Sequence, residues 1–202
     1  MATQQALSAR DKKIAAHREM AELAFRDHVL TVRHEHGLFA SWRCAKPNDG
    51  AYAFNITIEQ GRIFVTGDVG ALVVERTDNM IAWCRGAIRD IHYLAQKVPH
   101  EIQTTEWCPD VVRELLDELL QKAENELSTD EIEERQELVW SLRDLIEEGE
   151  GVFCHELSDS GLFDGCDWPD LENWKSRFLW CRECIRWFLE HSSYDPYAKL
   201  EA

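Results

Sequence analysis

Between Leu38 and Val74 the chain alternates apolar and polar residues in short runs, and only turn-length connections separate them. This constrains the fold more than anything else in the sequence. A parallel pair of strands needs a crossover of about a dozen residues, so strands joined by two to seven residues must run antiparallel. Leu38, Ala40, Trp42 and Cys44 form one alternating set, and Tyr52, Phe54, Ile56 and Ile58 form the next. Ile63–Thr66 and Leu72–Val74 follow, with turn signals at Lys46–Gly50, Glu59–Arg62 and Gly67–Gly70. The expectation is an antiparallel meander of about four strands, packed on one face and partly wet on the other, where Asn55, Thr57 and Thr66 lie.

On both sides of this stretch the period changes to helical. Ser8 and Asp11 suit the start of a helix reaching about Leu30, with Ile14, Met20, Ala21, Leu23, Ala24 and Phe25 as its apolar positions. Thr77 opens a predicted helix to about Lys97, striped by Ile81, Cys84, Ile88, Ile91 and Ala95. Pro109 suits a helix first turn, with Val112, Leu115, Leu116, Leu119, Leu120 and Ala123 behind it. Ser128 with Glu131 reads as a capping box for a helix to about Glu148, closed by Gly149 and Gly151. Cys154–Asp167 reads as a loop, and Pro169 as the start of a core helix ending near His191. That last helix is striped by Leu171, Trp174, Phe178, Cys181, Ile185 and Phe188. The fold class expected is α+β: a sheet packed by helices and an acidic helical C-terminal half, in one domain with possible sub-lobes at residues 1–100 and 101–202.

Charge is unevenly distributed. Residues 101–150 hold 17 Asp and Glu against 4 Lys and Arg, a net of −13 within a chain of −16. Such a segment marks a surface, because acids interleaved with so few bases repel one another. A pI near 4.9 argues against direct binding to nucleic acid or anionic membranes and favours a partner with a basic surface. No apolar run approaches the roughly 20 residues that span a bilayer, and the N-terminus lacks a signal-peptide pattern. Seven scattered cysteines fit reduced thiols in a cytoplasm.

The acidic segment supplies the candidate site. Two antiparallel helices of 18–20 residues would each be about 30 Å long, and duplex DNA of that length carries roughly 18 phosphates. Helical spacing sets carboxylates about 5–6 Å apart. Glu114, Asp117, Glu118, Glu124, Glu131, Glu134, Glu137, Asp144 and Glu148 could thus present a phosphate-like field, with Trp107 and Trp140 as candidate anchors for which core packing is the simpler reading. The alternative is a solvated face.

Other motifs are weaker. Cys181-Arg-Glu-Cys184 reads first as a pair of buried core thiols; zinc binding with Cys154, His155 or Cys166 is the lesser alternative. A redox role would need the first thiol at a helix N-terminus, which the stripe does not provide. His34-Glu35-His36, with His28 upstream, has metal-ligand spacing but no evident third ligand. Gly67-Asp68-Val69-Gly70 lacks the flanking residues of a phosphate loop and reads as a tight turn. No nucleophile or acid–base motif is visible, so no catalytic residue, metal or cofactor is assigned.

The segment Tyr52–Gly70, ending Thr-Gly-Asp-Val-Gly, followed by Met80-Ile-Ala-Trp83, resembles small proteins encoded by bacteriophages and prophages, which carry this hairpin before a Trp-bearing helix. The resemblance implies a setting, not a reaction. Viral proteins that block host defence, anti-CRISPR proteins among them, are often small, acidic and enzymatically inert. The expectation is a phage-encoded inhibitor acting in the host cytoplasm on a basic, nucleic-acid-handling complex. The alternatives are a small zinc-binding or hydrolytic enzyme built on the cysteine group, and a phage structural or assembly protein.

Overall fold

The computed structural model describes residues 7–163 and 168–195. The chain forms two compact units, Met1–Lys12 with Thr105–Asn173 and Lys13–Thr104 with Trp174–Ala202. The chain therefore leaves the sheet-bearing unit after Thr104 and re-enters it at Trp174.

The sheet-bearing unit is α+β. Its sheet is a fully antiparallel meander in sequence order, β1 (Val29–His36), β2 (Phe39–Ala45), β3 (Phe54–Glu59), β4 (Arg62–Gly67) and β5 (Gly70–Glu75). The meander is as expected, with one strand more. Helix α1 (Ala9–Ala24) stops short of Leu30, and the next residues pair with β2 from Val29↔Ala45 to His36↔Phe39, with a register shift between Val32 and His34. The β-branched residues Val29, Thr31 and Val32 favour the extended state over a helix. Gly37, at φ +58°, closes the hairpin.

Alternation decides which side of the sheet is buried. Ala40, Trp42, Cys44, Phe54, Ile56, Ile58, Ile63, Val65, Leu72 and Val74 face the core, whereas Thr57 and Thr66 are exposed and Asn55 half-buried. Tyr52 departs from its predicted place on the core face. It sits at φ +57° in the turn before β3 and is about half exposed.

Helix α7 (Ser176–His191) packs on β3, β4 and β5, and α2 (Met80–Ala87) packs beside it. The predicted stripe Phe178, Cys181, Ile185 and Phe188 is buried, joined by Leu179, Cys184 and Trp187. This helix starts at Ser176 and not at Pro169. Upstream, carbonyl groups that a helix would need are used by tertiary partners. Cys108 N–H donates to Leu171 O at 3.2 Å, and the Arg10 guanidinium donates to the carbonyls of Glu172 (2.8 Å) and Asp170 (2.9 Å). The stretch stays extended, and Glu172–Trp174 is the strand β7. The C-terminal half is therefore not one acidic helical block, because α7 belongs to the sheet.

The helix predicted from Thr77 to Lys97 is two helices, α2 and α3 (Ile91–Ala95). Asn79 and Asp90 each cap one, their side-chain oxygens accepting from Ala82 N–H and Tyr93 N–H at 3.0 Å. Ile81, Cys84, Ile88 and Ile91 are buried on schedule. The break moves the backbone and keeps the stripe.

The other unit is mainly helical. Strand β6 (Thr105–Trp107) pairs with β7, and helices α4 (Pro109–Glu126), α5 (Thr129–Asp144) and α6 (Glu150–Asp159) follow, with a 3-10 turn at Leu145–Glu148. Pro109 stands in the first turn of α4, as expected. Val112, Leu116, Val139, Leu142, Ile146, Phe153, Leu157 and Leu171 form its core. The loop predicted from Cys154 is helical as far as Asp159. Gly149, at φ +103°, ends the 3-10 turn, and Phe153 and Leu157, four residues apart, seat a new helix. Residues 164–167, with Cys166, lie outside the described residues. No helix among the described residues is long and apolar enough to cross a membrane.

Candidate partner-binding face

Helices α4 and α5 are joined by Leu127 and Ser128 alone, which makes them an antiparallel hairpin. The turn is set by the predicted capping box. Ser128 N–H and hydroxyl both donate to Glu131 Oε2, at 2.9 and 2.6 Å. These bonds hold the Glu131 carboxyl below its ordinary pKa, the hydroxyl contributing most. Arg143 of α5 pairs with Asp117 of α4, and Arg113 of α4 reaches Glu147 in the 3-10 turn after α5 at 2.7 Å.

These pairs divide the nine candidate carboxylates. Glu114 is half-buried, accepting from Ala9 N–H at 2.8 Å with Lys12 3.5 Å away, and Asp117 is taken by Arg143. Glu131 is exposed but committed to its cap. Glu118, Glu124, Glu134, Glu137, Asp144 and Glu148 are exposed and form no ion pair with any described residue. The field is thus concentrated and partly self-neutralised: α4 gives up much of its charge to internal pairing, and α5 keeps its own.

The exposed side of α5 contains a pattern that sequence reading did not isolate. Asp130, Glu133, Glu137, Trp140 and Asp144 follow at intervals of 3, 4, 3 and 4, opposite the buried Val139 and Leu142, and so share one outward stripe. Asp130 and Glu133 were missing from the candidate set, although a helical projection about Val139 and Leu142 would have found them. The two predicted anchors separate. Trp107 packs against Phe153, ring centroids 5.4 Å apart, inside its unit's core. Trp140 is 58% exposed, an indole set among carboxylates.

The cysteine group is not assembled as a ligand set by the described residues, among which no cluster of three His, Cys, Asp or Glu could hold a metal. Burial pushes the Cys181 thiol up to about 12 and Cys184 well above its ordinary value, so neither is a thiolate near neutral pH. Cys154 is half-buried on α6, and His155 is exposed beside Glu156 and Asp159 (3.8 and 3.5 Å). His34 and His36 lie on β1, exposed, with ring centroids 6.4 Å apart. His28 is buried, its Nε2 3.1 Å from Tyr52 O, among the rings of Phe25, Phe54 and Trp187. The Gly67–Gly70 segment is the predicted tight turn, Gly67 pairing with Gly70 between β4 and β5.

No family model, curated protein or solved structure matches this chain.

Proposed function

We propose that this protein is a non-catalytic inhibitor whose α5 face covers a basic, nucleic-acid-binding surface on a partner protein. The observation that carries this reading is the outward stripe of α5, unpaired carboxylates around an exposed indole. From Asp130 to Asp144 the helix rises about 21 Å. One DNA strand places about six phosphates over that length, and α5 carries six carboxylates: Asp130, Glu131, Glu133, Glu134, Glu137 and Asp144. Like charges held 5–6 Å apart repel by a few tenths of a kcal/mol per pair. A basic partner relieves that repulsion on binding, and long-range attraction speeds the encounter.

Trp140 supplies what charge alone lacks. Tryptophan anchors are enriched at binding hot spots, and the face of an indole attracts arginine. The resemblance of Tyr52–Gly70 to phage and prophage proteins supports a counter-defence setting in the host cytoplasm, with a nuclease or CRISPR-type complex as target.

The test is affinity capture from bacterial lysate, followed by binding to the captured complex at several salt concentrations. The triple variant Glu133→Lys, Glu137→Lys, Asp144→Lys reverses three unpaired charges and leaves the cap intact; reversing Glu131 would confound binding with helix stability. At roughly 0.5–1 kcal/mol per reversed contact, binding falls about 10- to 150-fold and its salt dependence flattens. Unchanged binding by this variant would exclude the α5 face.

A further inference from the structure

We propose a second site, an oxyanion site on the sheet-bearing unit, where Arg76 and Lys97 converge beside the β3–β4 turn to receive a phosphate group. The depression there holds about 370 Å³ and is lined by Gln60, Gly61, Arg62, Glu75, Arg76 and Lys97. Its rim is stapled by backbone hydrogen bonds. Arg76 N–H donates to Gly61 O at 3.0 Å, and Glu75 N–H donates to Lys97 O at 2.9 Å, joining three separate segments. Gly61, at φ +78°, leaves the turn open on this side, with no atom within 4 Å of where a side chain would begin.

The charges are distributed unequally. Arg62 is satisfied, with Glu75 at 2.7 Å and Glu59 at 3.5 Å. Arg76 and Lys97 have no carboxylate partner among the described residues, in a chain where 38 acids face 22 bases and partners are plentiful. Lys97 Nζ lies 5.1 Å from the centroid of the Tyr93 ring, and the Tyr93 hydroxyl accepts from Trp83 Nε1 at 3.3 Å, with Arg76 nearby. The Trp83 bond, first, and the nearby Arg76 and Lys97 cations lower the Tyr93 pKa. Two cations withheld from the acids around them, one of them over an aromatic ring, match an anion with several acceptor oxygens. Arginine and lysine together are the side chains that bind phosphate.

The ligand class is a phosphate dianion, free or as the terminal group of a small monoester. The test titrates the intact chain with inorganic phosphate and, separately, with phenyl phosphate, at constant ionic strength, following backbone amide shifts. Saturable shifts are expected at Gly61, Arg76 and Lys97. Arg76→Gln and Lys97→Gln each weaken binding roughly three- to tenfold for a solvent-exposed charge contact. Arg85→Gln, an exposed arginine on α2 outside the depression, leaves binding unchanged. A preference between the two probes separates a site for the free ion from one for a monoester. Shifts that do not saturate, that spread over cations across the surface, or that Arg85→Gln reduces as much as Arg76→Gln overturn the site. The outcome is independent of the α5 face, which none of these variants touches.

Discussion

Glu183 is only 1% exposed, on the core helix α7, and it accepts from Arg182 Nη1 at 2.8 Å and Arg186 Nε at 2.6 Å. Both arginines are themselves largely buried, at 12% and 17% side-chain exposure. Burial pulls the Arg182 pKa down, and Glu183 is the group that opposes the pull. Glu183→Gln keeps the shape and removes the charge. Two charge-assisted hydrogen bonds are lost or weakened, at about 1.5–3 kcal/mol each, and the two guanidinium groups lose their shared counter-charge. Arg182 retains Ile88 O at 2.9 Å, and Arg186 retains Glu190 at 3.1 Å and Glu22 at 3.6 Å, which limits the damage. The net cost is about 3–5 kcal/mol, the range for breaking a buried pair from one side, and the melting midpoint of the sheet-bearing unit falls by about 10–20 °C. Replacing all three together (Glu183→Leu, Arg182→Met, Arg186→Leu) removes the charges with their desolvation penalty and returns stability to within about 1–2 kcal/mol of the parent. Chemical denaturation and calorimetry on the three proteins read this directly. A cost below about 1 kcal/mol for Glu183→Gln refutes the reasoning, because it would mean that water already solvates the cluster.

Other outcomes follow from the same kind of geometry. Gly67→Ala drives a Cβ into the Ala53 carbonyl oxygen and Phe54 Cα at φ +143°, lowering stability by about 2–3 kcal/mol, whereas Gly151→Ala, inside α6 with open space around it, raises it by about 0.5–1 kcal/mol; paired urea melts check both signs. Trp140→Ala weakens capture of the partner at least tenfold while the thermal midpoint stays nearly constant, and a matching fall in both would make the residue structural. Burial raises the Cys44, Cys84 and Cys181 thiols to about 12 from 9.0. The folded state thus prefers their neutral forms, and their contribution is complete below pH 9 and lost as pH climbs toward 12. Melts at pH 8 and pH 10.5 should differ, and by less in Cys84→Ala. For Glu131 the sign is opposite: its depressed pKa means that the cap's contribution is present at neutral pH and is lost as pH falls through the carboxylate range.

Local patterns made much of this molecule readable. Alternation and turn lengths from Phe39 to Glu75 specified antiparallel strands and the buried face, because a side-chain period of two leaves one choice once Trp42 and Ile56 must be inside. Pro109 and the Ser128–Glu131 box marked their helix ends for reasons confined to four residues. The elements misread were those whose state is set at a distance. Val29–His36 is a strand because β2 is there to pair with it. Leu171 and Trp174 kept helical spacing with Phe178, yet Arg10 and Cys108 hold their backbone extended from more than sixty positions away. The surface shows the same division. Composition and order along the chain determined that residues 101–150 are acidic, since charge is a property of the residues themselves. Which carboxylates remain free was decided by tertiary structure, because Arg143 reaches across the hairpin to Asp117 and Lys12 lies beside Glu114, while the outward side of α5 is left bare.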